Sequence, residues 1–226
     1  MIKVPYAQAV HGQEEIDAVV NVLKTSTQMG ESVNLMEKLI AKIFNKTYGL
    51  LTNSGTSALY LAIEVADLPA KSEVITPALT FSTTVAPILR KGLIPVFMDV
   101  EKDTLNIDAS RIERFITKKT SAIWLPNLLG NIPDWDVVYQ LAKKYNLLVL
   151  EDSADTLGTS LRGKPTGLRS DMSITSFYGS HIINCAGNGG WLGLDDKDKA
   201  RKARLLRSWG RTSSIYSDIN QSENLN

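Results

Sequence analysis

Short apolar runs alternate with segments of helical spacing along most of this chain. Ile16, Val19, Val20 and Leu23 fall on one side of a helix predicted over Glu14 to Leu23. Val33 to Phe44 predicts a second helix. Tyr48 to Thr52 reads as a strand, and the small-residue turn Asn53-Ser54-Gly55-Thr56 leads from it into a helix running through Ala66. Glu73 to Thr76, Ile94 to Met98, Ala122 to Leu125 and Leu147 to Leu150 are further strands. Helices are expected near Thr83 to Lys91 and from Asp134 to Tyr145. Asp108 suits the N-cap of another, running through Ile116. Met172 to Phe177 and Trp191 to Leu194 read as the last strands, before a basic helix from about Lys197 to Trp209. This alternation predicts an α/β fold around a largely parallel sheet. Residues 1–212 are expected to form one large domain, and the polar stretch 213–226, rich in Ser and Asn, a frayed tail.

Composition narrows the function classes. A chain of 226 residues with 43% apolar and 22% charged residues suits a globular protein with a sizeable core. The formal net charge of +1 gives no global field towards nucleic acid or an anionic membrane. Cys185 is the single cysteine, which rules out an intrachain disulfide and suits a reducing compartment. The start, Met1-Ile2-Lys3-Val4-Pro5, lacks the apolar core of a secretory signal, and no apolar run is long enough for a membrane span. A cytoplasmic protein is expected. Two histidines and one cysteine do not furnish a structural zinc site, so no metal is expected.

Four segments could carry chemistry. Asn53-Ser54-Gly55-Thr56-Ser57 joins a strand to a helix, where backbone N–H groups and hydroxyls can hold a phosphate; the same residues also serve as ordinary caps. Glu151-Asp152 follows the run Leu147-Leu148-Val149-Leu150 and puts a carboxylate at the C-terminal end of a sheet strand, where α/β proteins place ligands. Asp152 could pair with a protonated pyridine nitrogen, or it could cap a turn. Ser176 and His181 stand before a glycine-rich segment ending Gly189-Gly190; alone, His181 would more simply be a satisfied loop histidine. Phe81, in Thr80-Phe81, could stack on a flat ring or belong to the core. The basic run from Lys197 to Arg207 reads as a solvated helix face rather than a diphosphate contact.

Taken together and in order, these segments resemble the sugar aminotransferase family called DegT/DnrJ/EryC1/StrS, of pyridoxal phosphate fold type I. The similarity covers Asn53-Ser54-Gly55-Thr56-Ser57-Ala58-Leu59, Glu73 to Phe81, Pro95 to Val100, Asn106-Ile107-Asp108 and Glu151-Asp152, and runs from about Val4 to about Ser214. The resemblance implies the three-layer α/β/α large domain of such an enzyme, with a mostly parallel central sheet. It implies that Gly55, Thr56 and Ser176 hold the cofactor phosphate, Phe81 stacks on the ring and Asp152 pairs with the ring nitrogen. It also implies a homodimer with the active site at its interface. Members continue into a smaller C-terminal domain, so the chain is expected to be the large domain of a truncated or split protein.

Three departures point to one branch. His181 stands where the family carries the lysine that holds the cofactor as a Schiff base, and a histidine cannot form that bond. Asp155 stands where Gln is usual, and Leu129-Gly130-Asn131 with Pro133 replaces a short Gly-Pro step. All three resemble the nucleotide-sugar 3-dehydratases, which use pyridoxamine phosphate on nucleotide-linked 4-keto-6-deoxy sugars, with glutamate as amino donor. In that branch the histidine removes a proton from the cofactor's C4′ methylene and the C3 hydroxyl leaves. Imidazole, with an ordinary pKa of about 6.5, suits that step. Cluster-bearing relatives place cysteines where Ser213, Ser214 and Ile215 stand here, and the single Cys185 cannot hold an iron–sulfur cluster. The family's Gly-Glu-Gly-Gly is Gly187-Asn188-Gly189-Gly190, which removes a carboxylate. A sugar aminotransferase and a catalytically inactive cofactor-binding or regulatory domain remain the alternatives.

Overall fold

Nine strands and six α-helices alternate in a computed structural model that describes residues 3–5, 8 and 10–212. The polar tail 213–226, with Ser213, Ser214 and Ile215, lies outside the described residues.

The strands are β1 (Tyr48–Thr52), β2 (Glu73–Pro77), β3 (Ile94–Met98), β4 (Thr120–Pro126), β5 (Leu148–Asp152), β6 (Ser160–Leu161), β7 (Lys164–Pro165), β8 (Met172–Ser176) and β9 (Gly190–Leu194). The helices are α1 (Gln13–Thr25), α2 (Glu31–Phe44), α3 (Gly55–Ala66), α4 (Ser82–Arg90), α5 (Trp135–Tyr145) and α6 (Lys197–Arg207). Seven strands form one sheet in the order β1-β9-β8-β5-β4-β2-β3. All neighbouring pairs from β8 to β3 are parallel, and β9 runs antiparallel to both β8 and β1. The small antiparallel hairpin β6–β7 stands apart and has no counterpart in the sequence expectation, because two-residue strands leave no periodic signal.

Alternation along each strand splits the core into two layers. Ala122, Trp124, Leu150, Met172, Ile174 and Leu192 face α3, α4 and α6. Ile123, Leu125 and Val149 face α5 and the 3₁₀ turn Ala109–Phe115. At the β1 edge, Phe44 of α2 stacks on Trp191 with ring centroids 5.2 Å apart. Helices on both faces of a mostly parallel sheet give the three-layer α/β/α arrangement that the family resemblance implies.

Two expectations change in detail. Asp108 caps as expected, accepting from Ser110 N, but the turns it starts are 3₁₀ and not α. In α1 the apolar face is real, yet Ile16, Val19, Val20 and Leu23 all remain exposed. The 3.6-residue period marks a face that can be buried; it does not name what covers it.

Candidate active site

The C-terminal ends of the parallel strands form one rim, and nearly every candidate residue lies on it. β1 ends at Thr52 and turns through Ser54 into α3. The Ser54 hydroxyl accepts from Ser57 N at 3.0 Å, so it is the helix cap. That leaves Gly55 and Thr56 at the head of a twelve-residue helix, whose free N–H groups attract an anion. Across the sheet, Thr52 pairs with Gly190 and Gly190 with Ser176, so three strands bring these residues side by side. A Cβ on Gly55 would stand 2.6 Å from Ser176 Cβ and 2.9 Å from its Oγ. A Cβ on Gly190 would strike the Ser54 carbonyl and lie 2.5 Å from Gly55 N. The glycines therefore let backbone, hydroxyl and helix N-terminus converge in one small cradle.

Asp152 ends β5 in the middle of this rim. It is buried, and burial pushes its carboxyl up to about 6, with the charges of Asp155 and Glu151 adding to the rise. Thr84 Oγ1 donates to Oδ2 at 2.8 Å and Ala154 N to Oδ1 at 3.1 Å, and both oppose that rise. Among the described residues no cationic side chain pairs with Asp152. A buried carboxylate with neutral donors fits a cationic ligand nitrogen well. Thr84 was missed by sequence reading. The signal lay in its position three residues into the helix that Phe81 opens, which puts its hydroxyl over the strand end.

Phe81 is the N-cap of α4 and is 70% exposed, so its ring offers a free face beside the rim rather than joining the core. Its exact mate cannot be a core side chain at that exposure.

His181 follows β8. Its backbone N–H donates to Tyr178 O at 2.9 Å, closing a turn, and the two rings meet edge to face at 6.0 Å. The imidazole is four-fifths buried. Nε2 lies 3.9 Å from Asp155 Oδ1, while the buried Nδ1 has no protein partner. Asp155 Oδ2 accepts from Leu129 N at 3.2 Å. Leu129 reaches it by adopting φ 56°, ψ 27°, a left-handed conformation unusual for Leu. The loop Leu129-Gly130-Asn131 thus orients Asp155, and Asp155 faces His181.

The rim so places Gly55, Thr56 and Ser176 in one cradle, Asp152 in the centre and the His181–Asp155 pair beyond it. The donor set suits a phosphorylated pyridine: an anion cradle at one end, a carboxylate for a ring nitrogen, an aromatic face and a base. Lys164 lies on the hairpin β6–β7 and Lys197 opens α6, so neither occupies the place of His181. Among the described residues no cluster of His, Cys, Asp or Glu could hold a metal, and no helix is long and apolar enough to cross a membrane.

Known proteins share this sequence and arrangement. The pattern of the DegT/DnrJ/EryC1/StrS aminotransferase family matches residues 10–224. The chain is 36% identical to a GDP-perosamine synthase of Caulobacter vibrioides over 198 residues, covering 87% of this chain and 53% of that protein. It is 33% identical to a GDP-4-keto-6-deoxy-D-mannose 3-dehydratase of Yersinia pseudotuberculosis over 223 residues, covering 95% of this chain and 56% of that one. A solved GDP-4-keto-6-deoxymannose-3-dehydratase, holding a trapped PLP-glutamate geminal diamine, superimposes with TM-score 0.89 at 30% identity. That match covers 94% of this chain and 57% of the solved one. The chain thus spans about half the length of the curated relatives it matches.

Proposed function

This chain belongs to the DegT/DnrJ/EryC1/StrS aminotransferase family, and on that premise we propose that it serves a pyridoxamine-phosphate-dependent 3-dehydratase of nucleotide-linked 4-keto-6-deoxy sugars. The observation that carries the reading is His181, set 3.9 Å from Asp155 and joined by no lysine at its place.

When bound, the cofactor supplies an amine for the sugar ketone and a ring that accepts electrons. The chain supplies the rest. Gly55, Thr56 and Ser176 bind the phosphate through the α3 N-terminus and a hydroxyl. Asp152 would pair with the ring nitrogen in its protonated form, which would make the ring the better electron acceptor. Phe81 covers one ring face. With the cofactor bound, His181 would be the general base that takes up a proton at the carbon beside the amine, and it could return that proton to the C3 oxygen, which would leave as water. Asp155, braced by Leu129 N, faces the imidazole and would hold its orientation. Because His181 cannot bind the cofactor covalently, retention rests on the phosphate, ring and Asp152 contacts. Glutamate as amino donor, a homodimer and a cytoplasmic setting belong to the same proposal.

The test is incubation of the folded protein with pyridoxamine phosphate, glutamate and nucleotide 4-keto-6-deoxyhexoses. Loss of the C3 hydroxyl supports the reading. A cofactor-loaded protein that leaves the hydroxyl in place on every such sugar overturns it.

A sugar aminotransferase is the second reading, favoured by the 36% identity to a GDP-perosamine synthase. Borohydride reduction in the presence of pyridoxal phosphate separates the two. A stable adduct on a site lysine supports transamination.

A further inference from the structure

Glu151 is 1% exposed and directly precedes Asp152, yet its side chain points the other way. Strand alternation sets Asp152 on the α3–α4 side of the sheet with Leu150 and Glu151 on the α5 side with Val149. On that side Oε1 accepts from Asn127 Nδ2 at 2.9 Å, Ser153 Oγ at 2.8 Å and Thr166 Oγ1 at 2.5 Å. Oε2 accepts from Ser173 Oγ at 2.9 Å and Ser170 Oγ at 3.2 Å. Among the described residues Glu151 joins no ion pair. Five neutral donors meet the roughly four acceptor sites of this one carboxylate.

The donors are not scattered. Asn127 follows β4, Ser153 follows β5 and Ser173 lies near the start of β8, which runs beside the end of β5. Trp135 Nε1 donates to Asn127 Oδ1 at 2.9 Å, so the Asn127 amide must turn its NH₂ to Glu151. Asn127 N in turn donates to the Asp152 carbonyl at 2.8 Å. Ser173 and Thr175 put hydroxyls on the face where Ile123 and Val149 of the adjoining strands are apolar, so the polar seam is confined to this spot.

We propose that Glu151 is a positioning residue for Asp152: it clamps the ends of β4 and β5 to the start of β8 and sets a negative charge behind Asp152, so that the paired carboxylates select a cationic ring nitrogen. The inference rests on the reading of Asp152 as the ring-nitrogen partner. The charged groups acting on Asp152 are Asp155, in the loop after β5, and Glu151; α4 presents the neutral Thr84 hydroxyl. Both charges add to the rise that burial produces.

The experiment is a carboxyl ¹³C NMR titration of the ligand-free chain, labelled at Asp and Glu. Wild type is compared with Glu151→Gln, and with the pair Ser173→Ala and Thr166→Val. Glu151→Gln removes the charge and is expected to lower the Asp152 midpoint. The hydroxyl deletions strip donors from the carboxylate and are expected to move that midpoint. A clamp with only a structural role would lower thermal stability in all variants and leave the Asp152 midpoint unmoved, which overturns the proposal. Should Glu151→Gln not fold, the hydroxyl deletions decide alone: a moved midpoint supports it and an unmoved one overturns it. Pyridoxamine phosphate binding, followed by absorbance in the same samples, separates the two claims. Binding with an unmoved midpoint overturns this inference only, and a shifted midpoint without binding overturns the functional reading only.

Discussion

Thr84 donates from Oγ1 to Oδ2 of Asp152 at 2.8 Å, and Thr80 Oγ1 stands 3.0 Å behind it. This bond favours the ionised form of Asp152, the form a ring N–H⁺ requires. Thr84→Val keeps the shape and removes the donor. Its expected outcome is a weaker complex with pyridoxamine phosphate, by about tenfold, in line with a hydrogen bond to a charged group. An absorbance titration reads this directly. Equal affinity in the variant would detach Asp152 from cofactor binding.

Burial makes Asp152 a pH-dependent liability in the ligand-free chain. Its folded-state value of about 6 lies above the ordinary 3.8, so the folded protein holds a proton that the unfolded chain gives up between those values. Stability from this group is therefore present below about pH 4 and lost as pH rises through about 6. The difference is on the order of 3 kcal/mol. Asp152→Asn removes the dependence. Urea unfolding from pH 4.5 to 7.5 is expected to show the variant gaining on wild type up to about pH 6 to 7 and then holding level. A gap that does not vary with pH would contradict this account.

Much of the fold was legible because its signals are local. The strand runs from Tyr48 to Leu194 and the turn after Thr52 follow from apolar period and small residues, and the structure places them as expected. The candidate residues Gly55, Thr56, Asp152 and Ser176 share one rim because each sits at a strand end, and position in sequence tells that much. What sequence could not give is orientation across strands. The reach of Thr84 onto Asp152 and the left-handed Leu129 that braces Asp155 depend on packing between elements and on backbone angles that no periodicity encodes. The exposed face of α1 shows the converse: the pattern was read correctly, but burial depends on what packs against it.

Gly190 tests the cradle by size alone. An added methyl would strike the Ser54 carbonyl and Gly55 N, which are fixed backbone. Gly190→Ala is expected to lower stability by about 1–3 kcal/mol, as other overpacked sites do, and to weaken phosphate binding with it. Gly179→Ala has no neighbour within 4 Å and serves as the control, expected to change stability by less than about 0.5 kcal/mol. Chemical denaturation of both variants measures the contrast, and a neutral Gly190→Ala would mean that β1 and β9 separate more easily than their register suggests.

His181→Lys places an amine where the reading puts the base, and so converts geometry into a covalent signal. The imidazole already faces Asp155 across 3.9 Å and is largely shielded. A lysine there is expected to reach the aldehyde carbon of pyridoxal phosphate and give a borohydride-stable adduct, which peptide mapping would locate at position 181. Wild type should give none at that position. His181→Asn, in contrast, should keep cofactor affinity within about threefold while losing roughly 10²- to 10⁴-fold in C3 deoxygenation, the range general-base removal produces. The two variants separate position from chemistry. An adduct with full activity in His181→Asn would leave His181 beside the cofactor but not the base. No adduct, in a folded His181→Lys sample that binds pyridoxal phosphate, would move position 181 out of the site altogether.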